Sequence, residues 1–108
     1  MTFALALARL AHTDIDAQFT FVKKRSGRTS AERWREALFK RLSTLQSNPE
    51  VWPLADEPAL ADAKVRMFLF RRWRYVYRVL FRLSGQEVQI LRVRSAFQDS
   101  LGPDDLGA

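Results

Sequence analysis

Two periodicities divide the chain. From Arg9 onward, Ala11, Ile15, Phe19 and Val22 recur at intervals of four, four and three, the stripe that an amphipathic helix turns toward a core. This spacing predicts a helix from about Arg9 to Arg25, with Lys23, Lys24 and Arg25 in its last turn, where cations suit the carbonyl end of the helix dipole, and with Ser26-Gly27 as its stop. Trp34, Leu38, Leu42 and Leu45 make a second stripe at helical spacing, which Asn48-Pro49 ends. Thr29 followed three residues later by Glu32 is the signature of a capping box at the start of that helix. Burying the four apolar side chains of the second stripe is worth ~6 to 12 kcal/mol before entropy.

From Lys64 the period drops from 3.6 to two, the alternation of β-strands. Three strands in a meander are predicted, joined by Phe70–Arg74 and by Ser84-Gly85-Gln86, where Gly85 supplies a positive φ. Sorted by parity, Val65, Met67, Leu69, Tyr75, Tyr77, Val79, Phe81, Leu83, Gln89, Leu91 and Val93 form the more apolar set. A half-covered sheet needs one apolar face, so these odd positions are expected to meet the helices and the even ones to form an open surface. The register of the third strand decides whether it follows the same parity. Thr2–Leu7 alternates weakly and predicts a short opening strand with Phe3, Leu5 and Leu7 on one side. The expected fold class is α+β, with two N-terminal helices packed on one face of a small antiparallel sheet of three or four strands.

Between helices and meander, residues 49–62 (PEVWPLADEPALAD) hold three prolines and four acids, a connecting loop whose charge can fold back on the arginines. Residues 1–99 are expected to form a single domain, and residues 100–108 (SLGPDDLGA from Ser100) a frayed tail.

Charge changes this picture most. Lys64 to Arg94 holds nine basic residues against one acid, while the whole chain carries only +6 with a pI near 10.5. The remainder is therefore slightly acidic, and the concentration points to a polyanionic or acidic partner. The absence of cysteine removes disulfides, thiolate catalysis and thiolate zinc sites, and a single histidine, His12, cannot build a histidine metal cluster. His12 reads as a surface helix residue, and Asp14 and Asp16 face largely different ways on the helix, against paired-carboxylate chemistry. No metal or cofactor is expected. No stretch has the pattern of a secretory signal or the length of a membrane span, so a cytoplasmic protein without membrane contact is expected.

Asn48-Pro49-Glu50 leading to Pro53-Leu54-Ala55, then Val65-Arg66, then Tyr77-Arg78-Val79-Leu80-Phe81, and last Val88-Gln89-Ile90-Leu91-Arg92-Val93-Arg94 come in the order seen in the RelE/ParE superfamily of toxins from bacterial type II toxin-antitoxin systems. The chain resembles that superfamily over nearly its whole length. The resemblance implies a small toxin held inactive by a cognate antitoxin, and Val76, Leu80, Val88 and Ile90 are the expected antitoxin contacts on the open face. For the RelE-type branch it implies ribosome-dependent cleavage of messenger RNA, with the ribosome and mRNA as partners. Arg78 would then clamp the scissile phosphate with Arg66, Arg74 and Arg94 as catalytic neighbours. Arg72, Arg82 and Arg92 would hold flanking phosphates, and Phe68 or Phe70 would stack on a base. Ser95, Ala96 and Gln98 stand where many relatives have His, Gly and Arg, which removes two groups suited to acid, base or phosphate contact. The ParE-type branch, which poisons DNA gyrase and needs no acid or base, is the alternative; a non-toxic basic RNA- or protein-binding module is the third.

Overall fold

The computed structural model describes residues 2–96. Gln98 and the tail at 100–108 lie outside the described residues. Strand β1 (Ala4–Leu7) leads into helices α1 (Arg9–Ser26) and α2 (Arg28–Ser43), then 3-10 turns at Thr44–Gln46, Pro49–Val51 and Pro58–Ala63, then strands β2 (Arg66–Arg72), β3 (Tyr75–Ser84) and β4 (Glu87–Ser95). The sheet runs β1-β4-β3-β2. The meander is antiparallel as expected, but β1 joins its β4 edge in parallel, so the sheet is mixed.

Both helices lie where their stripes place them. Ala11, Ile15 and Val22 of α1 and Trp34, Leu38 and Leu42 of α2, with Leu45 just beyond, are buried against one face of the sheet, and Phe19 is partly buried there. The helices are divided by Gly27, whose φ of 91° is a conformation that glycine adopts without penalty. The capping box does not form: α2 begins at Arg28, no side chain caps it, and Glu32 instead pairs with Arg28 at 2.9 Å. With Gly27 spanning the whole connection, Thr29 is already inside the first turn.

The parity of the sheet differs from the expectation in two strands, for reasons of turn length. A two-residue turn, Trp73-Arg74, sets Arg72 opposite Tyr75. Directly opposed residues share a face, so the odd set of β3 brings the even set of β2 with it. Phe68 pairs with Val79 and Phe70 with Tyr77, all in the helix-facing core. Ser84 likewise opposes Glu87, which puts Val88 and Ile90 in the same core. Between Leu80/Phe81 and Arg92/Ile90 the register shifts by one residue. This β-bulge at Leu91 reverses the parity of β4, so Val93 faces the helices while Leu91 faces away.

The far face is not open. Leu60 and Val65 pack on Leu80 and Leu91 there, with Ala55, Ala63 and Met67 at the margin. The connecting segment 54–65 therefore covers part of the sheet with a second, smaller core.

Tyr77 lies in the main core with its ring 5.3 Å from Trp34. Desolvation, and then the neighbouring Tyr75, push its hydroxyl from 10.0 to about 12. The fold thus favours neutral Tyr77. That contribution is whole below pH 10.0 and is lost as pH rises toward about 12. An alkaline absorbance titration should show one of the two tyrosines ionising only as the structure is lost. Ionisation of both by about pH 11 with the fold intact would contradict this burial.

Candidate functional site

Arg78 and Arg94 stand directly opposite one another on β3 and β4, with Leu69 of β2 in the same row. Like charges so placed repel, and the counter-charge comes from the covering segment: the Glu57 carboxylate accepts a hydrogen bond from Arg78 Nη2. Side-chain exposure is only 15% for Arg78 and 7% for Glu57, so this is a pair largely withdrawn from solvent. Arg94 Nε is buried and has no hydrogen-bond partner among the described residues.

The other residues expected to carry RNA chemistry are dispersed. Arg66 opposes Phe81 and so belongs to the other face from Arg78. Its guanidinium donates to the carbonyls of Glu50 at 3.2 Å and Trp52 at 2.6 Å, tethering the connecting loop. Arg74 lies in the β2–β3 turn. Arg72 lies over the Trp73 ring at 4.5 Å. Arg82 donates to Gln89 at 3.1 Å. Phe68 and Phe70 are 2% and 4% exposed within the core, which withdraws both from base stacking. Leu80, Val88 and Ile90 are fully buried, Leu80 under the covering segment and the other two under the helices. Their burial takes them off the open face expected to meet an antitoxin. Val76 alone of that set is partly exposed.

Arg92 is held by an acid that sequence spacing does not connect to it. β1 accompanies β4 only as far as Leu7 opposite Ile90, after which Ala8 donates its N–H to the Ile90 carbonyl at 2.9 Å and the chain turns into α1. The next edge amide of β4 would be bare. Asp14 covers it: its carboxylate accepts the Val93 N–H at 3.0 Å and both Nε and Nη2 of Arg92 at 2.7 and 2.9 Å. Asp16, as its helical position implied, faces elsewhere and meets Arg35 at 3.0 Å.

No group of three or more His, Cys, Asp or Glu side chains is placed to hold a metal among the described residues. None of their helices is long and apolar enough to cross a membrane.

Comparison with known proteins settles the family. The sequence model described as "ParE toxin of type II toxin-antitoxin system, parDE" matches residues 5–99, which is nearly the entire chain. The chain belongs to the ParE toxin family. Among solved structures, a chain of the chromosomal ParDE toxin-antitoxin system from P. aeruginosa superposes with a TM-score of 0.71 at 24% identity, over 87% of this chain and 96% of that one. That likeness is one of fold: two helices on a four-stranded sheet. No curated protein matches the sequence. This ParE-family toxin is thus one half of a toxin-antitoxin pair, and family membership implies an antitoxin as its partner.

Proposed function

We propose that this toxin acts by poisoning DNA gyrase, without hydrolysing RNA or DNA itself. The observation that carries the reading is the Arg78–Glu57 pair. Arginine-driven RNA cleavage requires the central guanidinium to be open to the scissile phosphate, because its whole contribution is to stabilise charge that develops there. Here the Glu57 carboxylate occupies that position and the pair is largely withdrawn from solvent. Arg66 faces the opposite side and Arg74 lies in a turn, so of the four expected cations only Arg78 and Arg94 are neighbours. Glu57 is itself engaged by Arg78, which makes it a poor base at that position. Blocking gyrase requires a protein contact and no acid or base, and it fits the branch of the superfamily whose sequence model the chain matches.

Purified toxin added to gyrase and supercoiled plasmid should accumulate gyrase-dependent linear DNA. The same preparation added to a reconstituted translation reaction should leave transcripts intact. Codon-phased cuts in the message, with gyrase unaffected, would overturn the proposal in favour of ribosome-dependent cleavage.

A further inference from the structure

Two short basic segments, distant in sequence, meet at one corner of the molecule. Residues 23–28 (KKRSGR) bring four cations from the α1–α2 turn, and residues 71–74 (RRWR) bring three from the β2–β3 turn, with no acid in either. The two turns are joined by a hydrogen bond between Ser26 Oγ and the Tyr75 hydroxyl at 3.1 Å. Two adjoining cavities of about 310 and 210 Å3 lie between them, sharing Arg25, Arg74 and Tyr75 in their walls, and no acidic residue lines either one. Helix capping accounts for Lys23, Lys24 and Arg25 as a local feature. It does not account for Arg74, which comes from the β2–β3 turn to share both cavity walls with Arg25.

The aromatic residues at this corner are the second observation. Trp73 is 54% exposed and Phe21 46%, and both rings meet Tyr75 edge-on, at 6.4 and 6.2 Å. Trp73 has φ of 54°, in the first position of a two-residue hairpin turn where glycine is the residue of least strain. Folding does not call for a bulky side chain there, and burial does not reward it. Backbone strain that exposes a large aromatic beside guanidinium groups has the character of a binding feature.

We propose that this corner binds single-stranded nucleic acid, with Arg25 and Arg74 on successive phosphates and with Trp73 and Phe21 against unstacked bases. A basic groove that tracks the backbone, flanked by aromatic platforms, is the arrangement by which proteins hold single strands without reading their sequence. An acidic peptide satisfies the charge as well. Its amides and carboxylates are smaller stacking partners for the exposed rings than nucleobases are, and its charges are not spaced as regularly as those of a phosphodiester chain. The proposal is independent of the gyrase reading, because it concerns binding alone.

The test is fluorescence anisotropy with labelled oligo-dT and oligo-rU of about twelve nucleotides, titrated with the full chain at low and moderate salt. Trp73→Gly relieves the positive φ, so it should unfold no earlier than the parent while binding at least fivefold more weakly. Arg25→Ala/Arg74→Ala should bind more weakly at low salt and lower the log–log salt slope by roughly 1.4, the loss of two single-strand phosphate contacts. Binding of either oligomer with these losses supports the site, and the tighter one identifies DNA or RNA as the strand it takes. Three outcomes would overturn it: neither oligomer binds, Trp73→Gly binds like the parent, or poly-glutamate competes as well as oligo-dT at equal charge, which would assign the corner to an acidic protein.

Discussion

Asp14→Ala is expected to lower folding stability by ~3 kcal/mol, the lower end of the range for removing one partner of a buried ion pair, because this pair is partly rather than fully buried. Three hydrogen bonds end on this carboxylate, two from Arg92 and one from the Val93 amide. Side-chain exposure is 13% for Arg92 and 14% for Asp14, so water replaces little of what is lost. The deficit is structural as well as electrostatic, because Asp14 completes the edge of β4 where β1 ends. Urea denaturation of parent and variant measures it directly. Asp14→Asn, which keeps an acceptor for Val93 but loses the charge, should fall between the two. A change under about 1 kcal/mol for Asp14→Ala, the range of an exposed pair, would show that this junction is not closed to solvent as the structure has it.

Glu57→Ala is expected to be destabilising on the same scale, ~3 to 5 kcal/mol, and to act on a different part of the molecule. The substitution leaves the Arg78 guanidinium opposite Arg94 without the carboxylate that balances its charge. Segment 54–65, held to the sheet by Leu60, Val65 and Glu57, should lose protection first, and limited proteolysis would place the earliest cuts there. Arg78→Ala removes the guanidinium from this pair and should be destabilising as well. Replacing both by apolar residues of matching volume should recover most of the loss, since a buried pair exchanged for good packing is often neutral or better. Near-additive losses in the double variant would show that the two residues stabilise the fold separately. Transcript cleavage gained by Glu57→Ala would mark Glu57 as a mask over a nuclease centre and would count against the gyrase reading.

The elements themselves were legible in the sequence because each is fixed by local geometry. The Ala11-Ile15-Phe19-Val22 and Trp34-Leu38-Leu42-Leu45 stripes follow from 3.6 residues per turn, and both helices present those residues to the core. The period of two marked three strands, the resemblance carried the family, and the acids of the connecting loop gave a warning of Glu57 folding back on the arginines. Faces and partnerships were not legible in the same way. One two-residue turn exchanged the parity of β2, placing Phe68 and Phe70 inside. One extra residue at Leu91 reversed β4 part-way along its length. Periodicity specifies how residues alternate within an element but not which side meets the helices, because that depends on single-residue offsets at turns and bulges. Ion pairs such as Asp14 with Arg92, 78 residues apart, depend on chain topology, which no window of sequence contains. The basic corner at Arg25 and Arg74 arises in the same way: its two halves read as an ordinary helix end and an ordinary turn until packing of α1 on the sheet brings them together.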